Sequence, residues 1–367
     1  MKKYGFLTKS EMLKYVDNWK TFPLENYPGY EQGKPPVYSE VHEIEWIEEA
    51  AKTWDRKFGS QGIGKLREVA VCRPCEDETL PLFQKDPRFF LYYHGIPNLK
   101  KRQEEFDAYI DAMKNEGVKI HYFKYPSPAL GPYGPIRWLS FMRETLITRG
   151  GAIISRFGMP WNKGRDMYLQ KFLVEELGIP VLMQIHGKGV GEIGAQVFLA
   201  ENVWMVGLGI AFNQEALNQV TPVLQSVGVK EIFVTHIPGP LDSIEWPLGG
   251  TYHPDMFIGI VDVGIAVIYP AWCDYETIKW LTKKGFKLIE VPAEEQRKYL
   301  PVNLQLIEPG KVIMPEGANE TIKKVRAEGV DVIEVPFSEQ YKESGGMRCT
   351  AMQILREPGP GLEEIKR

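Results

Sequence analysis

Cysteine is scarce in this chain. Four in 367 residues (Cys72, Cys75, Cys273, Cys349) are too few for a secreted disulfide framework, so a reducing cytoplasm is the expected setting. Histidine is nearly as scarce, with six. No His or Cys grouping has the spacing of a zinc site, and Cys72-Arg73-Pro74-Cys75 has no second pair. No metal and no cofactor is therefore expected. An excess of charge of one sign is also missing: 44 Lys and Arg stand against 48 Asp and Glu, a formal net charge of −4. That excludes the basic stripe a nucleic-acid partner requires. No run approaches the roughly 18 apolar residues of a membrane helix. The first residues, Met1-Lys2-Lys3-Tyr4-Gly5, lack the apolar stretch of a signal peptide. What remains is 44% hydrophobic and 25% charged, enough apolar material for a large core.

What is present is a repeat. Five times a charged, helix-like run ends in glycine and passes into an apolar segment, at Gly117, Gly178, Gly228, Gly285 and Gly329. Glycine most easily takes the left-handed conformation that closes a helix. The segments that follow (119–123, 180–183, 231–234, 287–291, 331–335) are short and rich in strand formers. Recurrence at roughly 45–60 residues suggests a ring of repeats, with a centre where residues distant in sequence meet. The repeats occupy one domain, 41–356, which opens on an amphipathic helix over 41–58. Before it, residues 1–40 read as an extended arm, because 22–38 are rich in Pro, Gly and Tyr. The arm is expected to pack on the body or on a second copy of the chain, as in a homodimer; a cover over an active site is the alternative. The tail, 357–367, opens Glu357-Pro358-Gly359-Pro360-Gly361 and is expected to mark the end of packed structure.

The sharpest local sequence is Gly345-Gly346-Met347-Arg348-Cys349. Two glycines permit close approach of a ligand, and Cys349 would sit where a loop enters an apolar strand over 350–355. It reads as a nucleophile or as a small core residue. A partner is at hand in His253-Pro254-Asp255. Two residues apart on extended backbone, His253 and Asp255 can share one side and act as a general acid and base. Glu144, beside Arg143 in an otherwise apolar run over 139–148, and Glu192, after the turn 187–191, are further carboxylates. Buried carboxylates need a cation, and a guanidinium is the one they hold most specifically. Taken alone, either glutamate reads better as half of an internal ion pair, such as Glu144 with Arg143. Gly187-Lys188-Gly189-Val190-Gly191 lacks the Gly-Lys-Ser/Thr ending of a phosphate loop.

In this order the segments resemble the guanidino-group-modifying enzymes: arginine deiminases, dimethylarginine dimethylaminohydrolases, agmatine deiminases and amidinotransferases. The likeness runs from about residue 64 to 355. The family's Arg-Asp, Glu-Gly-Gly-Asp, His-x-Asp and Gly-Gly-x-x-Cys motifs are matched by Arg143-Glu144, Glu192-Ile193-Gly194-Ala195, His253-Pro254-Asp255 and Gly345 to Cys349. The resemblance implies a five-bladed pseudo-symmetric α/β propeller, the pentein fold, built of ββαβ-type repeats. It also implies a small guanidino substrate and a covalent amidino-thioether on Cys349. In that frame Glu144 and Glu192 bind the guanidinium, His253 protonates the leaving amine, and Asp255 binds an N–H or orients His253. Hydrolysis is the expected reaction, with amidino transfer to an acceptor amine as the alternative. A catalytically lapsed guanidino-binding protein is the further one.

Three departures bear on the substrate. The first motif has Glu144 for Asp, the second ends in Ala195, and Ala211 stands where arginine-specific deiminases often carry an arginine. That argues against plain arginine hydrolysis unless Arg137, Arg143 or another cation takes its place.

Overall fold

The computed structural model describes residues 3–4, 7–26, 30–34, 45–79, 95–238 and 251–365. The chain divides into two compact units, 1–45 and 46–367. In the first, strands Lys3–Tyr4 and Leu7–Thr8 pair antiparallel and lead into helix Lys9–Leu13. Thr8 and Glu11 close that helix's start as a capping box. Much of the Pro- and Tyr-rich stretch lies outside the described residues, as does the start of the helix expected over 41–58. The described helix there is Trp46–Thr53.

The second unit contains five three-stranded sheets of one design. Each has a first strand antiparallel to a central strand, and the central strand runs parallel to a third. The central and third strands are joined through a helix, as a parallel pair requires. In chain order, β1 (Leu66–Val71), helix α1 (Leu99–Asn115) and β2 (Lys119–Tyr122) form part of one sheet. The second sheet is β3 (Leu146–Thr148), β4 (Gly151–Ile154), α2 (Arg165–Lys171) and β5 (Val181–Gln184). The third is β6 (Val197–Ala200), β7 (Val203–Leu208), α3 (Gln214–Ser226) and β8 (Glu231–His236). The fourth is β9 (Ile258–Asp262), β10 (Ile265–Ile268), α4 (Tyr275–Lys284) and β11 (Lys287–Glu290). The fifth is β12 (Gln305–Glu308), β13 (Lys311–Pro315), α5 (Asn319–Ala327) and β14 (Asp331–Val335). The last strand, β15 (Met352–Arg356), returns to pair antiparallel with β1, Met352 opposite Ala70.

The five glycines expected to end helices all have positive φ, from 60° at Gly178 to 96° at Gly228. Each lies between a crossover helix and its third strand. The central strands are mainly apolar and buried, as at Val69-Ala70-Val71 and Ala152-Ile153-Ile154, the pattern of parallel strands covered on both faces. Arg67, Glu68 and Lys311 are partly buried exceptions in β1 and β13.

Two expectations are corrected. The run 139–148 is strand only at Leu146–Thr148, because Trp138, at φ 56°, turns the chain before it. The tail is packed rather than loose. Arg67 pairs with Glu357, Gly359 N donates to Glu201 Oε2 at 2.7 Å, and Ile365 is buried against Gly264. An apolar residue beyond two prolines was enough to carry the chain back onto the core.

Candidate active site

Every first strand is entered through a turn that carries a chemically distinctive side chain. Glu144 precedes β3, Glu192 precedes β6, Asp255 precedes β9, Asn303 precedes β12 and Cys349 precedes β15. The turns are short and tight: Ile193–Ala195 and Pro254–Met256 are single 3-10 turns, and Met347–Thr350 is one helical turn. Gly346 is required here, since a Cβ would lie 2.5 Å from Asn303 Oδ1. That close approach lets Asn303 hold the turn that carries Cys349. Its Oδ1 accepts from Cys349 N at 3.2 Å, and its Nδ2 donates to Asp255 O at 3.0 Å.

Glu144, Glu192, His253, Asp255 and Cys349 line one cavity, and Arg143 reaches it too. His253 Nε2 lies 2.8 Å from Glu192 Oε2. Burial draws the His253 pKa down, but the hydrogen bond and charge of Glu192, with Asp255 and Glu144 behind them, turn the net shift upward. Glu144 Oε1 pairs at 2.8 Å with Arg165, which has no exposed side-chain surface. Burial pushes the Glu144 carboxyl up to about 8 against the pull of Arg165, and the charge of Glu192 adds to the rise. Burial, reinforced by Asp255, pushes the Cys349 thiol up to about 12. The ligand-free site therefore holds a protonated thiol.

One oxygen of each carboxylate is left over. Glu144 Oε2, Glu192 Oε1 and Asp255 Oδ1 are buried and have no hydrogen-bond partner. A buried acceptor without a donor costs about 1–3 kcal/mol, and more when charged. Glu343 Oε2, on the same cavity, is likewise buried without a partner, and four such oxygens call for a ligand with several N–H donors, which a planar guanidinium provides. Trp138, Phe141, Met159 and Met256 line the same cavity, so such a ligand would sit against apolar side chains, where hydrogen bonds count for more than in water.

The arginine deiminase family model matches residues 268–356. Among solved structures, a dimethylarginine dimethylaminohydrolase from Pseudomonas aeruginosa, solved with citrulline, superposes with a TM-score of 0.59. It is 20% identical and covers 79% of this chain and 99% of its own. An amidinotransferase of the saxitoxin pathway from Microseira wollei gives a TM-score of 0.66 at 14% identity, covering 83% and 98%. These likenesses establish a shared fold. A 2-nitroimidazole nitrohydrolase from Mycobacterium sp. (strain JS330) is 35% identical over 359 residues, 94% of this chain and 94% of that protein. The chain belongs to the guanidino-group-modifying superfamily.

Within that superfamily frame, two pairings differ from expectation. Glu144 pairs with Arg165 and not with Arg143, whose Nε donates to Gly194 O at 3.0 Å. Glu192, not Asp255, holds the His253 ring; Asp255 Oδ2 instead accepts from Arg348 Nη1. Pro254 explains the change. It starts the turn that carries Asp255 into the buried interior while His253 stays on extended backbone, 20% exposed. Three residues at the site escaped the sequence reading. Asn303 occupies the same place in its repeat as the four cavity residues Glu144, Glu192, Asp255 and Cys349, a signal visible once the repeats are aligned on their first strands. Arg348 adjoins Cys349 directly. Arg165 carries no local signal, since it is known only by its partner.

Proposed function

We propose that the protein hydrolyses a C–N bond at a carbon bonded to three nitrogens, with Cys349 as the nucleophile. It is an enzyme of the C–N hydrolase class. The observation that carries the mechanism is the convergence of four unpaired carboxylate oxygens, a thiol and an imidazole on one cavity. The oxygens take the N–H groups of an amidino unit and align its carbon over the sulfur. Binding of the cation offsets the burial and the Asp255 charge that hold the thiol protonated, so its proton is lost to solvent. The thiolate forms a C–S bond; the C–N bond breaks with its electron pair on nitrogen, and the His253 imidazolium protonates that nitrogen. Water, deprotonated by His253, then forms a C–O bond to the thioether carbon, and the C–S bond breaks to release the thiolate. Asn303 and Arg348 stabilise that thiolate.

A guanidino compound is the first substrate class. A second is favoured by the nitrohydrolase relative, because C2 of a 2-nitroimidazole is also bonded to three nitrogens. There the departing group would be nitrite. We further propose that the five sheets are the blades of a closed propeller, joined where β15 meets β1. The reaction is assigned to the cytoplasm, consistent with four free thiols.

Product mass spectrometry on arginine, methylated arginines, agmatine, guanidinoacetate and 2-nitroimidazole, with and without glycine or ornithine as acceptor, tests the reading. We expect an amine, ammonia or nitrite to be released without an acceptor. That release should fall at least about 10³-fold in Cys349→Ala. Turnover retained in Cys349→Ala would exclude the covalent route, and products formed only with an acceptor would make the protein an amidinotransferase.

A further inference from the structure

A second cavity adjoins the catalytic one, and Arg143 lines both. Its walls are apolar, formed by Val197 and Phe198 of β6, Ile258 and Ile260 of β9 and Leu306 of β12. Three guanidiniums line this apolar space: Arg143, Arg348 and Arg356. Arg356 is 3% exposed, and its hydrogen bonds go to neutral acceptors. These are Gln353 Oε1 at 2.9 Å and the carbonyls of Gly64 and Leu306, each at 2.6 Å. Arg143 donates through Nε to a carbonyl, and its Nη1 is buried without a partner. Arg348 meets Asp255 and the carbonyls of Ala195 and Gln196. Among the described residues, one carboxylate therefore answers three cations.

Guanidinium is the cation that gives up its proton least readily, so near neutral pH the imbalance is not relieved by ionisation of Arg356. Buried charge without a counter-charge is expensive. Titration reflects the same strain. Burial, then the charges of Arg348 and Arg356, hold Arg143 well below the usual guanidinium range. Burial and Arg348 hold Arg356 at about 9.

We propose that this cavity is an anion-binding site, in which a small monovalent anion lies against Arg143 and Arg356. The apolar walls select for low charge, because the cost of stripping water from an ion climbs steeply with its charge. Chloride and nitrite share the required chemistry. The site stands whether or not Cys349 is the nucleophile, since it rests on the charge balance of the second cavity alone.

Thermal unfolding of the full-length protein titrated with sodium chloride, bromide or nitrite tests it, against sodium gluconate at matched ionic strength. Above the dissociation constant, the midpoint should rise by about 2 °C for each tenfold increase in anion. Arg356→Met should abolish the rise, and Arg356→Lys should keep part of it. The ranking of chloride against nitrite separates a halide from an oxyanion. Because Arg356→Met also removes three hydrogen bonds, wild-type crystals grown in bromide give an independent reading. An anomalous peak within hydrogen-bond reach of Arg143 and Arg356 is expected. A gluconate response equal to that of bromide, or crystals without the peak, would overturn the proposal.

Discussion

In the proposed mechanism His253 sets the pH dependence. Its imidazolium persists above the ordinary histidine range because Glu192 outweighs the effect of burial. A step that needs it as an acid is therefore retained at low pH and lost as pH rises through that elevated value. Glu192→Gln removes both the hydrogen bond and the charge. The alkaline limb of kcat/KM should then move to lower pH, with kcat down about 10²-fold. pH–rate profiles of the two proteins decide it, and an unmoved limb would assign that limb to another group. Cys349 makes a second prediction. Burial and Asp255 hold the ligand-free thiol protonated, so thiolate ultraviolet absorbance should be absent at neutral pH. In Asp255→Asn it should emerge at lower pH than in wild type. The same onset in both would remove Asp255 as a cause.

At the scale of elements, the crossover units depend on how each helix stops. Gly329 sits between α5 and β14 at φ 83°, and a Cβ there would touch nothing. Any cost of substitution is then purely backbone. Gly329→Ala should destabilise the protein by about 1 kcal/mol, and Gly329→Asn by less, because asparagine tolerates the left-handed region. Denaturant midpoints at constant slope measure both. An alanine variant as stable as wild type would show that the junction can relax to negative φ. The turns before the first strands are held differently. There the glycines answer contacts, as Gly346 does with Asn303, and even asparagine would be excluded.

Across the molecule, the second unit depends on one late pairing. β15 docks on β1 from the far end of the chain, and Cys349 stands on the turn that leads into it. Ile354 in that strand is fully buried. Ile354→Ala should cost about 3 kcal/mol, and activity should fall at the same denaturant concentration as structure. Unfolding followed by circular dichroism and by turnover tests this. Activity lost well before structure would mean that the strand can detach alone. Pairing across such a long sequence separation also predicts slow folding for the chain's size.

Local features follow from the order of the amino acids alone. The five helix-ending glycines were legible because left-handed backbone is a property of single residues. The central strands were legible because burial on both faces leaves mainly apolar runs. The cavity residues Glu144, Glu192, His253, Asp255 and Cys349 could be picked out because their motifs keep a family order, although each motif is loose alone. Tertiary structure decided the pairings: Arg165 with Glu144, Glu192 with His253, Arg348 with Asp255 and Asn303 with Cys349. It also decided that the tail packs and that three arginines share one cavity. Most of these partners stand on turns of different repeats, and Arg165 reaches Glu144 from the helix of its own repeat, at separations that no residue-to-residue spacing encodes. Which charge meets which is set only when the strands have docked and water has been excluded.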